Sequence, residues 1–482
     1  MLLSKLLPIL QPTQVVGFIE RTIHRVTHDS RVAGPQDIFV AIKGKQSDGK
    51  NFTPALQVGA IIAEEPVESL PGVTVLYVSN ARKALAIASA ACAGNPAEEM
   101  PVIGITGTNG KTTTAWMLEH ILQQAGKKVG IIGTLGHRLN GQESPTQDGR
   151  TTPEASTIQP LLQEWKKQNC DVVVMEVSSI GLDLHRADEI PFAVAAFTNF
   201  SRDHLGFHET MENYLQAKKR LFTQLTTEKT VSVINGNDAN CKNIQPSNGE
   251  RWLFGSAPNH DIHYAKVHQT ISGIQANVTT PHGQKELHLP LIGLHNLENA
   301  MVAIGCALGV GIDVDTIFAA LRTLPQTPGR LERVETPINV PIFVDYAHTP
   351  DALAHVLKTL ANICAGKLIT VFGCGGDRDP GKRPEMGKIA QKYSHIPIVT
   401  SDNPRTEVPS RIIADVCRGM SSPVAVFEDR AKAIEHALSV ATSDDIVLIA
   451  GKGHETYQEI KGERRYFDDR VQARLAAQRR TK

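Results

Sequence analysis

The chain has 482 residues, enough for about three domains with sizeable cores. Lys plus Arg and Asp plus Glu each number 50, so no basic field for nucleic acid or membrane exists, and an anionic substrate must be met by basic residues local to its site. Seven cysteines, at 92, 170, 241, 306, 364, 374 and 417, form no Cys-x-x-Cys pair and are odd in number; this excludes a disulfide or zinc framework and predicts a reduced, cytoplasmic protein.

In chain order, Lys5 and Pro8 interrupt the apolar start too early for a secretion signal, and no apolar run is long enough to span a bilayer. The first segment, 1–94, carries short strands at Asp37–Ile42 and Val73–Val78 and an Ala-rich helix near Arg82–Ala93. Asn95-Pro96 breaks the chain before the second segment, 95–326. There Val129–Ile132, Val172–Met175, Phe192–Phe197 and Val231–Ile234 are apolar runs suited to a mostly parallel sheet covered on both faces, followed by an irregular, strand-rich stretch over Tyr264–Leu291. Thr327-Pro328-Gly329 opens the third segment, 327–482, with strands at Ile342–Val344, Leu368–Phe372, Ile396–Thr400, Val424–Phe427 and Ile446–Ile449. Each runs into a polar loop, where ligands bind in open α/β sheets. The fold class is α/β in three domains: an N-terminal one, a central P-loop ATPase-type sheet, and a Rossmann-like C-terminal domain in which Gly373-Cys374-Gly375-Gly376 does not complete a dinucleotide fingerprint.

The stretch richest in chemistry is Gly107-Thr108-Asn109-Gly110-Lys111-Thr112-Thr113, between the strand Val102–Thr106 and a run of helical apolar spacing. Backbone N–H groups and the positive helix end hold phosphate oxygens, Lys111 reaches the outer phosphates, and Thr112 ligates Mg²⁺; a nucleoside triphosphate is therefore the predicted energy source. The strict P-loop expression fails only at Ile105, where it has glycine. Glu176 ends a core strand, where an acid suits Mg²⁺ directly or through water, or else caps a neighbouring helix. His204 follows a second strand end, in place for a metal or phosphate role. On the residues alone Lys218-Lys219-Arg220 is a solvated helical face. The chain has no Asn-Lys-x-Asp element of a GTPase and no Gly-x-Ser-x-Gly elbow of a hydrolase.

Taken together, Gly107–Thr113, Glu176-Val177-Ser178-Ser179, Thr198-Asn199 with Asp203-His204, Gly293–Asn299, Gly329-Arg330-Leu331-Glu332 and Asp345–Pro350 resemble the Mur ligases, the ATP-dependent amide-bond ligases of peptidoglycan precursor synthesis. Six ordered motifs over nearly the whole chain make the resemblance specific. His28–Arg31, Lys45–Gly49, Thr151–Glu154, Gly375–Asp379, Asp402–Arg405 and Gly451–Glu455 narrow it to the ligases that extend UDP-N-acetylmuramoyl-L-alanyl-D-glutamate.

The resemblance implies that Ser30, Lys45, Gln46 and Ser47 hold the UDP end of that substrate, and Thr151, Thr152, Ser178 and Arg186 its sugar and peptide end. Asn296 and Asn299 approach the adenine; Arg330 and Asp345 meet ATP. Lys218 matches a lysine that is carbamylated in the family, a change that turns a cation into an anionic oxygen ligand for a second Mg²⁺ beside His204; Lys111, Glu176, His204 and Lys218 are then the catalytic group, and Thr112, Glu176, His204 and carbamylated Lys218 the metal ligands. Arg378, Asp402, Asn403, Pro404, Arg405, Gly451 and Glu455 are implied to bind meso-diaminopimelate, with Arg405 gripping the distal carboxylate that lysine lacks. The implied reaction runs through an acyl phosphate, completed by closure of the third domain, in a monomeric cytoplasmic enzyme without nucleic-acid or membrane partners. Leu184 stands where the family often has glutamine, and cannot hydrogen-bond the substrate; Gly206 stands where an acid is common. A sibling ligase with another acceptor, or an ATP-binding switch without ligase chemistry, are the alternatives that acceptor-dependent phosphate release separates.

Overall fold

The computed structural model describes residues 1–44, 47–144, 149–421 and 424–481. The chain forms two compact units, Met1–Ala265 with Asn277–Lys285 and Glu298–Leu321, and Lys266–Ala276 with Glu286–Leu297 and Arg322–Lys482.

The first unit opens with β1 (Gln14–Val16), β2 (Arg25–Thr27), β3 (Asp37–Val40), β4 (Ala60–Ala63) and β5 (Thr74–Tyr77), in the order β1-β5-β4-β3-β2. Only β1 runs antiparallel to its neighbour. All residues of β3 and β4 are buried, which is why they read as unbroken apolar runs and not as alternations. The helix Ala81–Ala93 packs its small face (Ala81, Ala84, Leu85, Ala88) into the same core as Leu76 and Val78. Asn80 caps it by accepting from the Lys83 N–H at 2.9 Å.

A larger sheet follows: β6 (Val102–Thr106), β7 (Val129–Gly133), β8 (Gly136–Leu139), β9 (Gln142–Glu143), β10 (Val172–Glu176), β11 (Phe192–Phe197), β12 (Thr226–Asn235) and β13 (Glu250–Gly255). β6 lies between β10 and β11, with β7 beyond β10 and β12 beyond β11, all parallel. The hairpin β7–β8 and the short β9 are antiparallel. Gly104, within β6, gives way to the Phe192 ring, which a Cβ there would approach to 2.6 Å. Because β7, β10, β6, β11 and β12 are neighbours pointing one way, the residues just after Gly133, Glu176, Thr106, Phe197 and Asn235 gather along one edge. β14 (Ile262–Thr270) pairs with β13 at Phe254 and Gly255; β15 (Gly273–Thr280) and β16 (Gly283–Leu289) fill the stretch expected to be strand-rich.

The second unit contains a six-stranded sheet of β17 (Glu332–Arg333), β18 (Ile342–Asp345), β19 (Leu368–Phe372), β20 (Ile396–Thr400), β21 (Ala425–Phe427) and β22 (Ile446–Ala450), in the order β17-β18-β22-β19-β20-β21. Apart from β17 it is parallel. The return of β22 between β18 and β19 makes the loops after β18, β22, β19 and β20 adjacent. These begin at Tyr346, Gly451, Gly373 and Ser401. A hairpin of β23 (Tyr457–Ile460) and β24 (Glu463–Tyr466) turns through Lys461 and Gly462, whose φ values of 51° and 80° are those of a type I′ turn. Among the described residues no helix is long and apolar enough to cross a membrane, and all seven cysteines are free thiols.

Candidate active site

In the first unit, the turn after β6 bends back on itself and is held by the turn after β11. The Thr108 N–H donates to the Asn199 carbonyl at 2.8 Å, and the Asn109 N–H to Asn199 Oδ1 at 3.0 Å. Thr198 Oγ1 donates to the Asn109 carbonyl at 2.5 Å, and the Ser201 N–H to Thr108 Oγ1 at 3.0 Å. Gly107 has φ 141° and Gly110 φ 86°; a side chain at the first would strike Thr198 Oγ1 and at the second Asn299 Oδ1. Asn299 is thus packed on the turn. The helix Lys111–Gln124 starts directly from Gly110, with no side-chain cap on its first N–H groups. Lys111 Nζ donates to the Gly107 and Thr108 carbonyls at 2.8 and 2.9 Å.

Beside this turn, the Glu176 carboxylate at the end of β10 is almost fully buried. It accepts from Thr112 Oγ1 at 2.9 Å, the Thr134 N–H at 3.0 Å and Thr134 Oγ1 at 3.0 Å. The helix-cap reading of Glu176 is therefore corrected: Ser178 caps the helix Ser179–Asp183, its Oγ accepting from the Gly181 N–H at 3.0 Å. Glu176, at the end of β10, instead gathers hydroxyl oxygens from the segments that follow β6 and β7. A carboxylate with two threonine hydroxyls is a hard oxygen donor set of the kind Mg²⁺ takes.

Lys218 overturns the solvated-face reading. The helix Met211–Thr223 turns Tyr214, Lys218, Leu221 and Phe222 inward together, and Lys218 is only 1% exposed. A run of three basic residues spreads over three faces of a helix, and position 218 shares the buried face because it lies one turn after Tyr214. Its Nζ donates to the Gly107 carbonyl at 2.8 Å and lies 4.8 Å from the centre of the Tyr214 ring. Burial, aided by the charge of Lys111, holds its pKa well below the ordinary lysine value. The Tyr214 hydroxyl is 3.1 Å from Thr108 Oγ1, and its ring meets that of His204 in an edge-to-face arrangement with centroids 6.1 Å apart. His204 sits in the left-handed region (φ 52°) with its ring exposed.

A third cluster joins Thr134 to the start of the helix Ala155–Lys167. Thr134 Oγ1 is 3.0 Å from Thr151 Oγ1. Thr152 Oγ1 donates to the Glu176 carbonyl at 2.9 Å and accepts from the Ser178 N–H at 2.9 Å. Arg186 donates to the Thr152 carbonyl at 3.0 Å and pairs with the buried Glu154 at 2.8 Å. Glu154 also meets Arg150 at 3.1 Å and Arg82 at 3.5 Å, so one carboxylate holds three guanidiniums. His28 reaches Ser156 Oγ at 3.0 Å, bringing the Ser30 loop toward that helix. Leu184 ends the helix Ser179–Asp183, half-buried. Gly206 has open space around it.

In the second unit, the buried Asp345 accepts from the Leu331 N–H at 2.7 Å and the Ala347 N–H at 2.8 Å, tying the residue before β17 to the turn after β18. Burial raises its pKa. Arg330 lies over the Tyr346 ring at 5.0 Å. Asn296 donates to the Ile292 carbonyl at 2.8 Å. The loop Asp402–Arg405 runs along the hairpin: the Arg405 N–H donates to the Glu459 carbonyl at 3.0 Å, Gln458 Nε2 to the Asp402 carbonyl at 2.6 Å, and the Glu459 N–H to Asn403 Oδ1 at 2.9 Å. Arg405 has φ 51°, and its guanidinium donates to the Gly376 carbonyl at 2.7 Å while staying partly exposed. Gly451, φ 118°, leaves room for Asp402 Oδ2, which is buried without a hydrogen-bond partner.

Two family models match this chain: the Mur ligase middle domain over residues 105–307 and the Mur ligase, glutamate ligase domain over residues 329–453. It is 38% identical over 501 aligned positions to the UDP-N-acetylmuramoyl-L-alanyl-D-glutamate--2,6-diaminopimelate ligase of Geobacter sulfurreducens, covering 98% of each chain. To the ligase of the same name from Syntrophomonas wolfei it is 41% identical, covering 94% of each. A solved structure of a ligase of that name superposes with TM-score 0.74 at 31% identity, covering 100% of this chain and 99% of that one. The chain belongs to the Mur ligase family. This Mur ligase is accordingly an ATP-dependent enzyme that forms amide bonds.

Of the residues singled out from its sequence, Gly107–Thr113, Glu176, Asn299 and Lys218 converge on one turn, with His204 beside them, and Thr151, Thr152, Ser178 and Arg186 form the adjoining cluster. Lys45 and Gln46 lie outside the described residues; Ser47 is exposed, its carbonyl accepting from the Gly44 N–H at 2.9 Å. Asp402, Asn403, Pro404, Arg405, Gly451 and Glu455 come together in the second unit, whereas Arg378 is exposed on the neighbouring loop. Sequence reasoning missed Thr134, Glu154, Tyr214 and Lys452. A hydroxyl directly after the Gly133 strand end was the available signal for Thr134; Glu154 and Lys452 sit inside motifs already singled out, and only their burial reveals them.

Proposed function

We propose that this Mur ligase adds meso-2,6-diaminopimelate to UDP-N-acetylmuramoyl-L-alanyl-D-glutamate, as the names of its relatives state of those proteins. The observation that carries the reading is the oxygen cluster of Glu176, Thr112 and Thr134 set against the Lys111 turn, together with an arginine in the Asp402–Arg405 loop.

The D-glutamyl side-chain carboxylate attacks the γ-phosphorus of ATP, releasing ADP and forming an acyl phosphate. The amine of the diamino acid then attacks that carbonyl, phosphate leaves, and the amine proton passes to solvent. Two anions must approach each other in the first step, so cationic and dipolar groups already in place carry most of the catalysis. The Gly107–Thr113 backbone and Lys111 cradle the phosphates. Thr112, Glu176 and Thr134 fit Mg²⁺, which when bound neutralises phosphate charge. Thr151, Thr152, Ser178 and Arg186 orient the peptide end of the UDP substrate, and Ser30, Lys45, Gln46 and Ser47 its UDP end. Asn296, Asn299, Arg330 and Asp345 serve ATP; Arg378, Asp402, Asn403, Pro404, Arg405, Gly451 and Glu455 serve the acceptor. Leu184 offers the substrate apolar contact in place of an amide.

Burial lowers the pKa of Lys218 and so favours the neutral amine, the form that adds to CO₂, which supports its carbamylation as a ligand with His204. Replacing Lys218 lowers activity, and high bicarbonate or short carboxylic acids partly restore it; full activity in Lys218→Ala rejects the assignment. We further assign three domains, 1–94, 95–326 and 327–482, and a monomer acting in the cytoplasm, a location that seven unpaired thiols support.

The test is phosphate release with ATP, Mg²⁺ and the UDP substrate, comparing meso-diaminopimelate with L-lysine. Release with diaminopimelate alone is expected. Preference for lysine overturns the role of Arg405; silence with both overturns the substrate reading.

A further inference from the structure

Behind the acceptor loops lies a lysine for which the reaction above has no use. Lys452 is completely buried. An ammonium group has three N–H donors, and here three oxygens from three places receive them: Asn403 Oδ1 at 3.2 Å, Glu455 Oε2 at 3.2 Å, and the Tyr457 carbonyl. Asn403 in turn donates from Nδ2 to the same Glu455 Oε2 at 2.7 Å. Both bonds fall on one carboxylate oxygen, so Glu455 is held while its Oε1 carries neither of them. Asn403 Oδ1 also accepts from the Glu459 N–H, tying the Asp402–Arg405 loop to the hairpin. Lys452 therefore closes a ring through the loop after β20, the loop after β22 and the first strand of the hairpin.

The surroundings explain why a cation belongs there. Glu455 and the buried Asp402 place two carboxylates in the loops after β22 and β20, the strands on either side of β19, and Arg430, also fully buried, is already committed to Asp469 by two bonds of 2.7 Å. Arg430 extends its remaining reach to the Ala450 carbonyl at 3.0 Å, just before the loop that carries Lys452. Among the described residues, Lys452 is the cation that pairs directly with Glu455.

We propose that Lys452 is a positioning residue for the acceptor amino acid, acting through Glu455 and Asn403. The inference rests on the acceptor reading of these loops. A lysine that merely filled the core would support all substrates alike; one that orients Glu455 affects the acceptor alone.

The experiment measures KM for ATP, UDP substrate and meso-diaminopimelate in the full-length wild-type enzyme, Lys452→Met, Glu455→Leu and the double variant. Lys452→Met is expected to raise the acceptor KM about ten- to a hundredfold, the scale of a lost charge-assisted hydrogen bond, with the other two KM values unchanged. The double variant is expected to match Glu455→Leu. Unchanged acceptor KM, a common rise in all three, or independent effects that multiply in the double variant each overturn the proposal. Should Lys452→Met not fold, the double variant, which removes both buried charges together, still decides: equality with Glu455→Leu supports the proposal and further loss rejects it. Absence of turnover in the wild type overturns the acceptor reading and the role of Lys452 with it, whereas wild-type turnover with indifferent variants overturns the role of Lys452 alone.

Discussion

Lys218 and Lys452 are both buried to within a per cent of completely, yet their amines meet opposite surroundings. Lys218 has a backbone carbonyl, an aromatic face and the repulsion of Lys111, and no carboxylate among its bonds. Lys452 has a carboxylate, an amide oxygen and a carbonyl, one for each N–H. Burial by itself thus says little about what a lysine does. A buried amine with no carboxylate to pair with is biased toward its neutral, nucleophilic form; a fully paired one becomes a strut. The two sites differ in the same sense: the lysines at the phosphate turn donate to backbone carbonyls, whereas the lysine behind the acceptor loops pairs with a carboxylate.

Four measurements sharpen or break that contrast. The largest effect is expected for Lys111→Ala, a fall in kcat of about 10²- to 10³-fold by analogy with loss of one charge-stabilising donor, with the circular dichroism spectrum unchanged; full activity would detach the turn from phosphate chemistry. Arg405→Gln should next cost about ten- to a hundredfold in preference for diaminopimelate over lysine, read as a ratio of kcat/KM values. Glu154→Gln should lower stability by about 1.5–3 kcal/mol in urea melts and raise KM for the UDP substrate, because three arginines lose their common anion.

The smallest effect concerns pH. The folded pKa of Lys218 lies below its ordinary value of 10.5. Between those two values the unfolded chain binds the extra proton, so stability from this group rises with pH across that window and its cost is greatest below the folded pKa. In bicarbonate-free buffer, Lys218→Met should therefore gain stability over wild type at pH 7 and lose that advantage toward pH 10. A gain that stays constant with pH would mean that Lys218 is charged when folded.

The parallel strands of the second unit were legible almost to the residue, since Leu368–Phe372 is buried throughout and Ile396–Thr400 buried over its last three residues, and both advertise themselves as apolar runs. The hairpin Tyr457–Tyr466 was not, because its residues are half-buried or exposed and show no apolar alternation. The turn at Gly107–Thr113 was legible because backbone geometry demands glycine there. Lys218 was misread from residues alone, since the inward turn of its helix depends on Tyr214 and Phe222 packing against distant strands. Thr134 had only its place after a strand end to mark it; it matters because β7 ends beside β10.

Gly104 carries a consequence for sequence drift. Its backbone is ordinary strand, and only the Phe192 ring forbids a side chain. The two positions should therefore change as a couple in descendants of this chain, alanine at 104 becoming tolerable once 192 shrinks to leucine. No such exchange is open to Gly107, where φ 141° would remain strained whatever Thr198 became. One glycine is a negotiable volume, the other a fixed hinge of the backbone.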